Sequence, residues 1–500
     1  MNKISVTTIF AIILITLGAQ AQSEQDVLRY SFTNVVGSAR SMACGNAFGA
    51  LGADYSSLVS NPAGLARYRN SELGITTNFF NTQANTFYID NKRTDNSFNI
   101  NINNLGLAVA LPTENTSGWR YVNIGFGVNR IANFNRSIYM EGVNNKSSIV
   151  QHFEQSANGT DTSDLSPMSG SKLAWSQYLI DNKSTSGSQY FSDFTYDSAY
   201  SLRQRNSIEQ SGGMNDICIA MSGNYDDKVY IGGSINFYKV KFSEQNIFLE
   251  NVLNNSVDYY QSLTYTNNIK TKGTGVGAKF GAIFLPTKTS RVGIAYHTPS
   301  RIYLEDSYNS SLGCTLGGKA SEKITPDGTY NYSITTPGKL VISGAFMYHK
   351  RGFISVDFEH IDYRNGKLMT GNQNATSLDT FTLGVNNNVQ TQYQAGNNLR
   401  VGAEYIIEDV YSIRAGAGFM GSPYKSTANS PNNFKTTTPF FSCGFGIRTG
   451  DYFFDVAISR HYATSFYAPY SLNAGGVAKY YTSETQNKTT NFTVSLGFKF

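Results

Sequence analysis

The feature that most constrains this chain is its final ten residues, Asn491–Phe500, in which apolar and polar side chains alternate strictly. The apolar members are Phe492, Val494, Leu496, Phe498 and Phe500. Strict alternation is the period of a β-strand, because successive side chains point to opposite faces. A strand that ends on an aromatic residue is typical of the closing strand of an outer-membrane barrel; an amphipathic edge strand of a soluble protein is the alternative from this stretch alone.

Composition favours the barrel. Charged residues make up 15% of the chain, against roughly 25% in an average soluble protein. Aromatic residues reach 13%, and 46 of the 500 residues are glycine. Strands with one wet face and one apolar face produce this balance. The net charge of +5 is small for the length, which argues against a nucleic-acid partner.

The amino terminus, residues 1–21, has the pattern of a secretory signal peptide. Lys3 supplies a positive charge, Ile9–Leu17 is apolar, and Ala19-Gln20-Ala21 forms a small-residue cleavage site. Cleavage is predicted before Gln22. No later run reaches the length of a transmembrane helix, so a mature chain in a membrane must cross it as a closed barrel.

Residues 22–68 are rich in Gly, Ala and Ser and contain two helix-start signals. Asp54 can cap a short turn that ends at Leu58, and Asn61 can cap a second, Pro62–Arg67, whose proline suits the first helical position. Small residues let a backbone pack closely against surrounding walls. A flexible leader is one interpretation; the helix signals favour a plug folded inside the barrel.

The stretch GSARSMACGNAFGALGADYSSLVSNPAGLARYRNSELG (residues 37–74) resembles the N-terminal hatch and first strand of the FadL/TodX family, in its Bacteroidetes-type versions. Asn61, Pro62 and Ala63 match the Asn-Pro-Ala of that hatch. Three later stretches are also similar to the family: Arg291–Pro299, Phe353–Tyr363 and Leu399–Tyr424. The resemblance implies an outer-membrane transporter of long-chain fatty acids or aromatic hydrocarbons, with capture at the cell surface, a pocket behind the hatch and lateral exit through a kinked wall strand.

The rest of the chain, residues 69–500, reads as an all-β, transmembrane, antiparallel barrel of about 14 strands with the plug in its lumen. Alternating segments are joined in turn by tight turns, such as Asp226-Asp227 and Glu408-Asp409, and by long polar segments. This asymmetry is typical of short periplasmic turns and long extracellular loops. The loops are expected at about 133–213, 243–270, 305–331, 364–396 and 464–489.

Charged residues fall opposite the apolar faces and should therefore line the lumen. They are Lys279, Asp357, Glu359, Arg400, Glu404, Arg414, Arg448 and Asp455. One hypothesis is that they pair with one another and anchor the plug, because unpaired charges there would be costly. The other is that some of the cations, Lys279, Arg400, Arg414 and Arg448, bind the head group of an amphipathic ligand.

The longest expected loop contains Leu173-Ala174-Trp175 and Tyr178-Leu179-Ile180 at roughly helical spacing. These residues predict either a small core that holds the loop together or an exposed apolar surface that captures hydrophobic molecules. The sequence does not choose between the two. The four cysteines lack metal-ligand spacing. A disulfide is the alternative in an oxidising compartment, but free buried thiols are expected.

No pattern for catalysis, metal binding or a cofactor stands out. Gly313–Ala320 resembles a phosphate loop, but Ala320 lacks the hydroxyl that would hold Mg²⁺. Gly273–Gly277 lacks the spacing of a dinucleotide fingerprint, and its glycines are expected to give room to the plug. An enzyme is therefore not expected, and neither is a cofactor.

The leading hypothesis is a monomeric outer-membrane channel for passive uptake of hydrophobic small molecules, with outer-membrane lipid around it. The alternative is a PorV-like barrel that serves as a scaffold for a secretion system or its cargo protein. Short turns and large loops are compatible with both.

Overall fold

The computed structural model describes residues 23–32, 36–115, 117–182, 188–192, 201–253, 259–370, 380–425, 437–474 and 477–500. The predicted signal peptide, residues 1–21, and the predicted cleavage position before Gln22 lie outside the described residues. Within these ranges no helix is long and apolar enough to cross a membrane.

Most of the described residues are in strands. The helices are α1 (Glu24–Ser31), α2 (Ala39–Ala43), α3 (Ile149–Ala157), α4 (Gly170–Ser176) and α5 (Thr380–Gln392), with 3₁₀ turns at Tyr55–Leu58, Pro62–Arg67 and Tyr363–Asn365. The strands are β1 (Glu72–Tyr88), β2 (Asn91–Pro112), β3 (Trp119–Asn133), β4 (Arg136–Asn144), β5 (Asp181–Asn182), β6 (Tyr190–Phe191), β7 (Leu202–Tyr225), β8 (Val229–Val252), β9 (Tyr260–Phe284), β10 (Ser290–His297), β11 (Arg301–Leu316), β12 (Lys319–Ile324), β13 (Gly328–Thr335), β14 (Lys339–Tyr348), β15 (Gly352–Asp362), β16 (Lys367–Thr370), β17 (Ala395–Ile407), β18 (Tyr411–Met420), β19 (Thr438–Thr449), β20 (Tyr452–Tyr467), β21 (Ser471–Ala474), β22 (Val477–Tyr480) and β23 (Ser483–Lys499).

The strands form a closed antiparallel barrel of 14 wall strands, which confirms the predicted fold class. Four wall strands are interrupted once and count as pairs: β3/β4, β10/β11, β13/β14 and β15/β16. The barrel closes where β1 pairs with β23, from Glu72 opposite Lys499 to Phe87 opposite Glu484. Ser71 and Phe500 exchange two backbone hydrogen bonds of 3.0 Å at this closure.

The wall has the predicted apolar outer face. In β23 the side chains of Phe492, Leu496 and Phe498 are exposed, while Thr493 and Ser495 between them are buried. The same alternation continues around the barrel through exposed residues such as Ile219, Phe280, Ile354 and Phe441. Apolar side chains that point away from the interior on every wall strand are solvated by acyl chains in a membrane barrel.

Tight turns join strands at one end of the barrel. Asp226 and Asp227 both have positive φ, at 51° and 56°, and Glu408 and Asp409 repeat this geometry at 53° and 58°. Two successive residues with positive φ form the type I′ turn that matches the twist of paired strands. The other end carries the long connections, with one exception: β1 and β2 are joined there by a tight turn at Ile89 and Asp90, so the predicted strict alternation of short and long connections is not met at this hairpin.

The strands extend further toward the long connections than the sequence analysis expected. Strand β8 continues to Val252 and β9 starts at Tyr260, so much of the expected loop 243–270 is strand. Likewise β20 and β23 take up parts of the range 464–489. These extensions stand above the apolar band, where the outer face is polar, and therefore lack the alternation on which the prediction rested.

Candidate functional site

The hatch, as it is called below, comprises residues 23–32 and 36–67 of the amino-terminal segment and lies inside the barrel. Its backbone is held by polar side chains on the inner face of the wall. Ala39 N donates to Ser495 Oγ at 2.7 Å, Gly45 N to Ser442 Oγ at 3.1 Å and Gly49 N to Asp357 Oδ2 at 3.0 Å. Because these partners belong to β23, β19 and β15, the hatch is fixed to separate parts of the circumference.

The Asn-Pro-Ala stretch sits where the hatch is closest to β8 and β9. Asn61 caps the 3₁₀ turn Pro62–Arg67: its Oδ1 accepts from Ala63 N at 3.1 Å, and its Nδ2 donates to Gly49 O at 2.7 Å. The wall opposite is made of glycine. A Cβ at Gly232 would meet the backbone of Pro62 and Ala63, and one at Gly281 would overlap Asn61 Oδ1.

Gly232 and Gly281 are therefore among the wall glycines that make room for the hatch, and Gly293, Gly402 and Gly416 do the same beside other hatch residues. The sequence analysis expected this role for Gly273–Gly277, which was wrong. A Cβ at Gly273 or Gly275 would meet residues of the neighbouring strand β11, because these positions lie farther along β9, beyond the Asn-Pro-Ala turn.

A buried ionic network links the hatch to the wall. Arg40 donates to both carboxylate oxygens of Glu404, at 2.8 and 2.7 Å. Glu404 also accepts from Arg414 Nε at 2.6 Å, and Arg414 Nη1 donates to Asp455 at 2.6 Å. Two cations and two anions compensate one another, which meets the condition under which charges are tolerated in a protein interior.

The four cations named from the sequence all lie on the inner face of the wall. Lys279 pairs with Asp216 at 2.7 Å, Arg400 with Glu359 at 2.9 Å, Arg414 with Glu404 and Asp455 at 2.6 Å, and Arg448 lies 4.0 Å from Asp455. Lys279 Nζ also donates to Leu58 O of the hatch at 3.3 Å. These contacts are those expected of the anchoring hypothesis; binding of a ligand head group by these residues stays a prediction.

A cavity of about 460 Å³ lies between the hatch and the wall. Leu28, Phe32 and Met42 contribute its hatch side. Apolar wall residues complete much of the lining: Phe80, Phe134, Ile138, Ile208, Met420 and Phe466. The lining is mixed, because many polar side chains also contribute to it, among them Asn78, Asn103 and Gln210. The volume falls in the range of roughly 300–1,000 Å³ that is typical of small-molecule sites.

Arg136 supplies a positive charge to this cavity. Its Nη2 donates to Ser465 Oγ at 2.7 Å, and no carboxylate lies within 4.0 Å of its guanidinium in the described part of the chain. Glu244 lines the same cavity, where it accepts from Gln210 Nε2 at 2.6 Å. Arg29 also lines the cavity but is paired with Asp26 of α1. Arg136 is thus a cavity arginine available to an anionic ligand, and Arg130, which donates to Gly212 O, is a second arginine of the lining.

Sequence reasoning missed Arg136 because it lies in the range expected as a loop, 133–213. In β4 polar and apolar side chains alternate, but the outer face is mostly polar and the inner face contains Ile138 and Met140. This is the reverse of a lipid-facing segment. That reversal within residues 136–144 is the signal that could have placed Arg136 on the inner face.

Next to this cavity the wall has a gap. Strand β2 pairs with β1 from Asn91 to Ala108, but with β3 only from Asn104 onward. Strand β4 pairs with β7, and no backbone ladder between described residues joins it to β2. The wall strand β3/β4 is interrupted at Phe134 and Asn135, where Phe134 N donates to Gly212 O at 3.1 Å.

Side chains border the gap above and below. Arg93 pairs with Glu141 at 2.8 Å, and Ser137 donates to Asp95. Farther down β2 the side chains of Phe98, Ile100 and Ile102 are 65%, 55% and 60% exposed. Arg130, which lies on the same face of β3 as the outward-facing Phe126 and Val128, also lines the cavity. The gap therefore lies beside the cavity, and exposed apolar side chains of β2 flank it on the outer side of the wall.

The apolar residues of the longest loop mostly form a core. Leu173, Ala174, Leu179 and Ile180 are buried among side chains of α3 and of the upper ends of β7, β8 and β9. Tyr178 is the exception, at 79% exposed. The structure therefore agrees with the first hypothesis for this stretch, a small core that holds the loop together.

The profile of the family described as outer membrane protein transport protein (OMPP1/FadL/TodX) matches residues 183–500. The chain belongs to the FadL/TodX family. Its location is therefore the outer membrane, and its family is one of channels for hydrophobic compounds. No match is found among curated proteins.

Solved structures agree on the fold of this FadL/TodX family member. A Pseudomonas aeruginosa FadL homologue is 13% identical, with a TM-score of 0.55 over 94% of this chain and 100% of its own. The P. putida toluene transporter TodX and the Ralstonia pickettii toluene transporter TbuX are each 12% identical, with a TM-score of 0.51 over 93% of this chain and 99% of theirs. At these identities the likeness supports the barrel fold alone.

Proposed function

We propose that this channel takes up hydrophobic molecules that carry an anionic head, such as long-chain fatty acids, by passive diffusion. The observation that carries the proposal is the cavity between hatch and wall, which combines apolar residues such as Phe80, Phe134 and Ile208 with the guanidinium of Arg136. An alkyl chain leaves water when it enters such a cavity, at about 0.8 kcal/mol per buried CH₂. A carboxylate suits Arg136 because guanidinium groups form charge-assisted hydrogen bonds with it.

The route we propose runs from the extracellular loops to the cavity and then sideways through the gap between β2 and β4. The hatch closes the bore below the cavity, where its backbone is bonded to β15, β19 and β23. Entry of a hydrophobic molecule into the periplasmic water is unfavourable because its apolar surface would be exposed to water. The exposed Phe98, Ile100 and Ile102 offer it an apolar path to the membrane instead. No cofactor or energy source is part of this route.

Binding to the purified protein tests the role of Arg136. Arg136→Gln should weaken the affinity for oleate by about 10- to 100-fold, since a hydrogen bond to a charged group contributes roughly 1.5–3 kcal/mol. The affinity for oleyl alcohol, which has the same chain and no charge, should change by less than about threefold. Arg203→Gln, on the exposed outer face of β7, is the matched control.

Equal losses for the acid and the alcohol would contradict head-group recognition by Arg136. Uptake of tritiated oleate by cells with and without the gene tests transport itself. Equal uptake in the two strains, together with co-purification of a stoichiometric protein partner, would favour the scaffold hypothesis instead.

A further inference from the structure

Four lysines form a cluster on the outer wall, toward the end of the barrel that carries the long connections. Lys239 and Lys241 are on β8, and Lys270 and Lys272 are on β9. All four side chains are exposed. We call this cluster the lysine face.

The lysine face continues the apolar stripes of the same two strands. On β8 the exposed side chains run Ile231, Ile235, Phe237 and then Lys239. On β9 they run Phe280, Val276 and then Lys272. Since the pairing of β8 with β9 is regular along its length, these residues share one outward face.

The height of the lysine face matches the head-group region. Lys239 stands ten residues above Val229, the start of β8. At about 3.3 Å per residue and a strand tilt of about 40°, this separation corresponds to roughly 25 Å along the barrel axis. The apolar band of outer-membrane barrels is also about 25 Å tall. The ammonium groups therefore lie at the upper edge of the acyl region.

The charges of the lysine face are close together, and one acid lies beside the four cations. Lys241 and Lys272 are direct register partners, a position in which side chains lie about 5 Å apart and like charges are destabilising. None of the four is joined to a carboxylate by an ion pair among the described residues. One acid, Glu305, occupies the position opposite Lys272 on β11.

Among the described residues, other strands carry outward cations in smaller numbers, such as Arg203 and Arg205 on β7 and Arg460 on β20. At the corresponding outward positions above the apolar band, β1 carries Asn81 and Gln83 and β17 carries Asn397. A general attraction to the membrane surface would be served by cations spread around the barrel. Four cations on two neighbouring strands instead suit one compact, multiply charged anion.

We infer that the lysine face binds the phosphate groups of a phosphorylated outer-leaflet lipid, whose acyl chains lie on the apolar stripe below. The ammonium group of lysine is a compact point charge suited to phosphate. Each lysine near a membrane surface strengthens binding to anionic lipid several-fold. This inference concerns the outer wall and is independent of the proposed transport function.

The test is binding of lipids to the purified mature chain in dodecyl maltoside micelles. The probes are diphosphoryl lipid A and the same lipid after enzymatic removal of its phosphates, with free pyrophosphate as competitor. The patch variant is Lys239→Gln/Lys241→Gln/Lys270→Gln/Lys272→Gln. The matched control removes four exposed lysines elsewhere, Lys228→Gln/Lys288→Gln/Lys319→Gln/Lys350→Gln. Heat-modifiable migration on a gel verifies that each barrel is folded.

We expect the patch variant to bind diphosphoryl lipid A at least tenfold more weakly than wild type, and the control variant to stay within about twofold. Wild-type binding should also weaken as salt is raised. The fourfold Lys→Arg variant should retain binding, which separates charge from fold. Equal affinities of patch and control variants, equal affinity for the dephosphorylated lipid, or displacement by pyrophosphate at the concentration of the lipid would each overturn the inference.

Discussion

Substitution of Glu404 by glutamine should loosen the hatch. Glu404 joins Arg40 of the hatch to Arg414 of the wall, and both guanidinium groups contact its carboxylate at 2.6–2.8 Å. Glutamine has nearly the same shape but no charge. The network with Asp455 then changes from neutral to a net charge of +1 in the barrel interior.

The loss of docking free energy depends on which of the two ion pairs of Glu404, with Arg40 or with Arg414, is broken when the hatch undocks. Breaking a buried ion pair costs roughly 3–5 kcal/mol. Arg414 remains with Asp455 whether the hatch is docked or not, so only the Arg40 arm affects docking. The Arg40 side chain is 19% exposed, which places its share lower, at about 2 kcal/mol. The population with an undocked hatch should therefore rise about 30-fold, at 1.4 kcal/mol per factor of ten.

Hydrogen exchange and conductance measure this population. Backbone amides of α2 and of Gly45, which bond to the wall or within the hatch, should exchange about 30-fold faster in Glu404→Gln. Brief conductance steps in planar bilayers should become correspondingly more frequent.

The matched control is Glu359→Gln. Glu359 is also buried and pairs with cations, Arg400 at 2.9 Å and Lys339 at 4.0 Å, but these partners are on the wall. The control should destabilise the barrel without changing exchange in the hatch. If both variants accelerate hatch exchange equally, or if neither does, the network does not hold the hatch in the way described.

Three further predictions concern the hatch. Deletion of residues 22–68 should raise the leak of small solutes through the barrel in planar bilayers; an unchanged conductance would show that the segment does not close the bore. Gly281→Val should destabilise the docked hatch by about 1–3 kcal/mol because its side chain would overlap Asn61, whereas Gly344→Val, where the added Cβ meets nothing within 4 Å, should leave hatch exchange as in wild type. Burial outweighs the attraction of Arg29 and raises the pKa of the Asp26 carboxyl to about 6, so docking of α1 should be strongest below pH 4 and should weaken by up to about 3 kcal/mol as pH rises through 6. Hydrogen exchange of α1 should show this dependence in wild type and lose it in Asp26→Asn, and a dependence of the opposite sign would refute the assignment.

Much of the fold could be predicted from the sequence because its signals are local. Alternation in residues 491–500 identifies a lipid-facing strand, and the capping side chains of Asp54 and Asn61 mark two turns that the structure shows at Tyr55–Leu58 and Pro62–Arg67. The inward charges Glu404 and Arg414 could be placed by the same alternation. These features depend on neighbours in the chain, so a single segment contains the information.

The cavity and the gap could not be predicted in this way because they depend on which strands pair. Arg136 faces the cavity only because β4 leaves β2 and pairs with β7. Its segment stands above most of the apolar band, where the hydrophobic pattern is reversed. Partner choice between distant strands is a property of the closed barrel, which no local window of the sequence shows.

The closure of β1 on β23 has a consequence for biogenesis. Strand β1 begins five residues after the hatch ends at Arg67, and its partner is the final strand, with Ser71 bonded to Phe500. The barrel therefore cannot close until β23 has been synthesised. The hatch precedes every wall strand in the chain, so it is synthesised before the seam between β1 and β23 can form. We therefore expect the wall to close around the hatch. Loss of β23 should leave the barrel open between β1 and β20, with the hatch not enclosed.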